Sequence, residues 1–82
     1  MDEKFALMAI IVKDKSEIQT VNAVLSEHSD IILSRSGLPF KDRGVSIISL
    51  VLTAPADRIN KFAGRLGTIN GIKIKTLQTE ID

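Results

Sequence analysis

The chain of 82 residues contains no cysteine, tryptophan or tyrosine, and only one histidine, two prolines and three phenylalanines. Without cysteine it has no disulfide framework, no thiolate metal site and no cysteine nucleophile. The one histidine, His28, lies beside Glu27 and near Asp30; a single imidazole with scattered carboxylates makes no metal site unless another chain adds ligands. Its plainer role is that of a helix-end residue meeting the dipole and solvent, and replacing it is expected to leave fold and assembly unchanged. Neither metal nor cofactor is expected. The scarcity of aromatics argues against RNA binding on a sheet face, which stacks bases on exposed rings. An excess of either charge is also missing: 11 basic residues face 10 acidic ones, for a formal net charge of +1. There is thus no strong drive toward nucleic acid or anionic lipid. No apolar run is long enough to cross a bilayer. The opening M-D-E-K-F-A-L-M leads with acidic residues and lacks a small-residue cleavage site, so a cytoplasmic location is expected. No strand-turn-helix nucleophile motif is present, and an enzyme is not expected.

What is there is ordinary globular material, 44% hydrophobic and 26% charged, and residues 1–82 are expected to form one small domain for which association is a means of adding burial. F-A-L-M-A-I-I-V, residues 5–12, is apolar throughout and reads as a strand buried on both faces. Asp14 or Ser16, with Glu17 or Gln19 three residues on, then supplies a capping box. Ile18, Val21, Val24 and Leu25 mark one face of a helix running to about Ser29. Asp30 opens a second strand, I-I-L-S-R-S, which Gly37 and Pro39 are expected to end. A loop, residues 38–44, leads to V-S-I-I-S-L-V-L-T, residues 45–53, the strongest strand in the chain. Pro55 suits the first turn of a second helix. That helix continues to about Leu66, with Gly67 expected to terminate it at positive φ.

G-R-L-G-T-I-N-G-I-K-I-K-T-L, residues 64–77, carries three of the five glycines. A dinucleotide loop takes its glycines after a strand and before a helix. Here the helix comes first, so the segment reads as a seam, with Asn70-Gly71 turning into a last strand.

The order strand, helix, strand, strand, helix, strand predicts an α+β, ferredoxin-like βαββαβ fold: a four-stranded antiparallel sheet with two helices on one face and the first and third strands central. One apolar row on each central strand is then left uncovered. On the first strand the rows are Ala6, Met8, Ile10, Val12 and Phe5, Leu7, Ala9, Ile11. On the third, the bulkier Ile48, Leu50 and Leu52 are expected to face the helices, leaving Val45, Ile47, Ser49 and Val51 for a partner. Such a face marks an interface, and a homo-oligomer, dimer or tetramer, is expected. Arg35, Gly37, Lys41 and Arg43 surround the Leu38-Pro39 connection. They read either as a solvated hairpin-like loop or as a binding site for an anion or carboxylate. Lys73 and Lys75 read as edge-strand charges that discourage further pairing.

Four segments carry a resemblance over nearly the whole chain: A-L-M-A-I-I-V-K-D-K, D-I-I-L-S-R-S-G-L-P-F, I-I-S-L-V-L and G-R-L-G-T-I-N-G-I-K-I-K-T. In these the chain resembles a family of small stand-alone proteins named as iron-only hydrogenase system regulators. That family is similar to ACT domains and to the ligand-sensing halves of nickel-responsive repressors, which associate through their sheets. The resemblance implies a regulatory or sensory module with a small-molecule effector at subunit interfaces. The sequence departs from those relatives in lacking the histidines and cysteine of a nickel site and in placing Lys13-Asp14-Lys15 where amino-acid-binding ACT domains carry a glycine. The four residues before Phe5 leave no room for a ribbon-helix-helix unit, so direct nucleic-acid binding is not expected. The alternative function is that of an adaptor docking on a protein partner through its apolar sheet face.

Overall fold

A computed structural model of the chain describes residues 3–80. The elements are β1 (Glu3–Val12), α1 (Ile18–Glu27), β2 (Ile32–Phe40), β3 (Val45–Pro55), α2 (Ala56–Gly67) and β4 (Ile72–Glu80), with short 3-10 turns at Lys15–Glu17, Ser29–Ile31 and Lys41–Arg43. The strands form one antiparallel sheet in the order β2-β3-β1-β4. The two most apolar strands are central and both helices pack on one face, which is the ferredoxin-like arrangement that the element order predicts.

Alternation decides which side chains enter the core. On β1, Ala6, Met8, Ile10 and Val12 are buried, and on β3, Ile48, Leu50, Leu52 and Ala54. Onto these fall Val21, Val24 and Leu25 of α1 and Ile59, Phe62 and Leu66 of α2, residues spaced by three and four that share one helical face. Every buried residue among those described is apolar. Among the described residues, no element lies over the opposite rows of β1 and β3.

Local chemistry sets the connections. Asp14 takes the capping role, but for the short turn before α1: its Oδ1 accepts from the Ser16 NH at 2.9 Å and from the Ser16 hydroxyl at 2.7 Å. Those bonds, the hydroxyl first, hold its carboxyl below the ordinary carboxylate range. The helix proper begins after Glu17, which makes no side-chain cap, so the expected capping box serves only the preceding turn. At the end of α1, Glu27 accepts from both terminal nitrogens of Arg65 on α2, one at 3.0 Å. Asp30 accepts from Arg58 at 2.9 and 3.3 Å. Both pairs tie α2 to the end of α1 across exposed surface.

Three expectations are corrected. Gly67 does not take positive φ; it is the last residue of α2, and Thr68 follows with φ −80°. The Thr68 hydroxyl and NH both donate to the Arg65 carbonyl, and the Ile69 NH to that of Leu66, so the helix end is satisfied without a left-handed residue. β2 does not end at Gly37 and Pro39 but runs through both to Phe40, pairing Gly37 with Ile48 and Pro39 with Ser46. As an edge strand it tolerates a residue without an NH. A bulge between Ile32 and Ser34 bends its start. Pro55 closes β3 in extended conformation, φ −60° and ψ 150°, immediately before α2; it precedes the first helical turn. The expected turn at Asn70-Gly71 is present, with Gly71 at φ 75°, and a second left-handed glycine, Gly44 at φ 67°, closes the β2–β3 connection.

The candidate functional site, an open apolar sheet face

The register places side chains of all four strands in rows across the uncovered face. One row runs Leu38, Ile47, Ile11, Lys73; the next Ser36, Ser49, Ala9, Lys75; the third Ser34, Val51, Leu7, Leu77; and beyond it lie Thr53, Phe5 and Thr79. Phe40 and Val45 pair at the hairpin end. Five of the six exposed large hydrophobic residues described fall on this face: Leu7 is 56% exposed, Leu38 58% and Leu77 65%, with Phe5 and Phe40 exposed as well; the sixth, Leu33, sits at the bulge of β2. Soluble surfaces seldom carry so many large apolar groups together without a partner.

Between its rows the face is hollow. A concavity of about 700 Å³ is lined by Leu7, Val51 and Leu77 on one side and Ala9, Ser36 and Ser49 on the other, with Lys75 at the β4 edge. Its floor is the sheet itself, level with Met8, Leu50, Arg35 and Thr76.

The residues expected to form the interface, Val45, Ile47 and Val51, lie on this face and are half-buried, while Ile48, Leu50 and Leu52 face the helices. Of the two sets on β1, the uncovered one is Phe5, Leu7, Ala9 and Ile11. Leu38 and Phe40 extend the surface at the β2 edge, a contribution hidden by reading Gly37 and Pro39 as a strand end. The alternation Ser34, Ser36, Leu38, Phe40, continuing past Gly37, is the signal that carries it.

The candidate ligand residues Arg35, Gly37, Lys41 and Arg43 do not converge. Arg35 pairs with Leu50, on the helix-covered side, where its Nη2 donates to Asn22 Oδ1 at 2.5 Å. Gly37 pairs with Ile48 on that same side, and open space surrounds it. Lys41 and Arg43 sit in the 3-10 turn beyond the end of β2, about 20 Å along the strand from Arg35 at roughly 3.3 Å per residue. Lys73 and Lys75 lie on edge strand β4 and are exposed.

His28 terminates α1. Its Nδ1 donates to the Val24 carbonyl at 2.8 Å, and its ring packs on Phe62 with centroids 4.6 Å apart. The imidazole is therefore part of the helix-helix packing rather than a solvated cap, and its replacement reaches the core at Phe62. Among the described residues, no group of three or more His, Cys, Asp or Glu is placed to hold a metal ion, and no helix is long and apolar enough to cross a membrane.

No curated protein matches the chain. Among solved structures, the uncharacterized protein TM1266 from Thermotoga maritima superposes with a TM-score of 0.90 at 32% identity, over 96% of this chain and 100% of that one. The family model TM1266-like, described as "Iron-only hydrogenase system regulator, putative", matches residues 4–76. That span runs from β1 into β4 and takes in the open face except for Leu77 and Thr79 on β4, and on this evidence the chain belongs to the TM1266-like family.

Proposed function

We propose that this chain is a cytoplasmic regulatory module of the iron-only hydrogenase system that works by binding rather than catalysis. It acts as a homo-oligomer joined through the open sheet face, with its small-molecule effector held where subunits meet. The observation that carries the reading is the apolar face itself: four strands contribute to it and none of the described elements covers it. The family description supports the regulatory role. Covering such a face contributes stability in proportion to the apolar area removed from water, at roughly 25 cal/mol per Å², against the cost of association.

A thermal-shift screen of purified protein against amino acids, nucleotides and metal ions tests the effector. A ligand that binds only the folded assembly raises the melting temperature with its concentration. Silence throughout the screen, together with a monomer that captures one defined protein partner through the same face, would favour the adaptor role instead.

A further inference from the structure

The open face carries a shape that fits a second copy of itself in one register. We infer that two chains pack sheet to sheet about a dyad that lies between the sheets, runs across the strands and is level with Met8. This rests on the reading that the open face joins copies of this chain, and adds which residues meet.

Three observations carry it. The first is relief. On the central strands Leu7 and Val51 are bulky and the adjacent Ala9 and Ser49 are small, their rows ending at the edges in Ser34 and Leu77 and in Ser36 and Lys75, and the hollow between the rows is centred on the level of Met8, Leu50 and Thr76. A dyad across the strands at that level lays each copy's bulky row into the other's small row, Leu7 over Ala9 and Val51 over Ser49. Aligned sheets interdigitate in this way with their backbones about 10 Å apart. A dyad along the strands would instead lay bulky on bulky and small on small, leaving a void that forfeits contact.

Charge is the second. A dyad two residues further along, level with Ile10, would also mate a bulky row with the small one, that of Ile11 and Ile47. It would set Lys73 of one copy over Lys75 of the other, and like charges in a desolvated contact repel. Level with Met8, Lys75 lies over Leu77 and Lys73 over Thr79, so the lysine stems cover apolar surface while their ammonium groups reach solvent at the sheet edge. The third is area. Four strands about 4.8 Å apart and nine or ten residues at about 3.3 Å each give a footprint of about 19 by 30 Å. Corrugated by side chains, such a face offers on the order of the 800 Å² per partner that a standard interface takes.

The absence of cysteine makes the register directly readable. Leu7→Cys and Ala9→Cys proteins, mixed to exchange subunits and treated with a short bismaleimide, are expected to give several-fold more cross-linked dimer than either protein alone. Val51→Cys mixed with Ser49→Cys repeats the measurement on β3 and guards against one variant failing to fold. Stronger cross-linking of Leu7→Cys with Val51→Cys would indicate the dyad along the strands and overturn the register. So would equal yields from all mixtures of a protein that light scattering shows to be dimeric. A wild-type protein that scatters as a monomer would instead overturn the homo-oligomer on which the register rests.

Discussion

Gly67 and Gly71 stand close together in the chain and place opposite demands on a side chain. Gly71 holds φ 75°, and a Cβ built on it would lie 3.1 Å from the Cβ of Asp14. The Gly71 carbonyl also accepts from the Lys13 NH at 2.7 Å, so the turn is held where the end of β1 meets the start of β4. Gly71→Ala is therefore expected to destabilise the fold by about 1–2 kcal/mol through the left-handed backbone alone. Gly67, with helical backbone and open space around it, carries no such constraint, and Gly67→Ala is expected to be neutral or to stabilise by up to about 1 kcal/mol. Urea unfolding of the two variants checks the contrast; equal losses would contradict the assigned backbone. At His28, the ring contact with Phe62 and the bond to Val24 predict that His28→Ala lowers stability by about 1 kcal/mol. The mass of the assembly should stay unchanged, because the ring lies on the helix side. Elemental analysis of wild-type protein is expected to find no stoichiometric transition metal.

At the scale of the elements, the link between α2 and the end of α1 is electrostatic at its surface and titrates. Hydrogen bonds from Arg65 to Glu27 and from Arg58 to Asp30 depress both carboxyls below their ordinary range and raise the pKa of the two guanidinium groups. A depressed folded-state pKa means that the unfolded chain takes up the proton first. The contribution is thus complete above the ordinary carboxylate range and is lost as pH falls through the lower folded values. These pairs are exposed and individually weak. Glu27→Gln with Asp30→Asn is expected to flatten the acid limb of stability against pH and leave the neutral plateau nearly unchanged. An acid limb as steep as wild type would place the titrating groups elsewhere.

The elements were legible because their apolar periods are clean. Ile59, Phe62 and Leu66 could belong only to a helix, and the alternation of Ile72 and Ile74 with Lys73 and Lys75 only to a strand facing a core on one side. The order of elements then left one economical topology. β2 runs past its expected end because Gly37 and Pro39 are strand breakers in the interior of a sheet and tolerable at its edge, and edge position is a property of the whole sheet. The helix end departs from expectation for a related reason: the Thr68 hydroxyl and the backbone NH groups of Thr68 and Ile69 satisfy carbonyls that a left-handed Gly67 would otherwise serve. The basic residues around the β2–β3 connection are close in sequence, but an extended strand separates Arg35 from Lys41 and directs Arg35 toward Asn22. The uncovered rows of the central strands, by contrast, follow from counting: two helices cannot cover two faces.

The whole molecule is one layer of helices on one sheet, with a second apolar face that the fold leaves open. A charge on either side of the sheet therefore has different consequences. Leu50 is buried against the helices, and Leu50→Asp is expected to unfold the subunit, seen as loss of the far-ultraviolet circular dichroism signal. Ile47 lies on the open face beside Leu38 and Ile11. Ile47→Asp is expected to keep the native dichroism but dissociate the assembly, since an unpaired carboxylate in a dry interface costs several kcal/mol. The most direct measurement is light scattering of the wild-type protein at micromolar concentration, with Ile47→Asp run beside it. An open face that joins copies predicts a wild-type mass that is a multiple of the 9.0 kDa chain and a folded Ile47→Asp protein of lower mass. A folded wild-type monomer at 9.0 kDa, or an Ile47→Asp protein that assembles as wild type does, would contradict it.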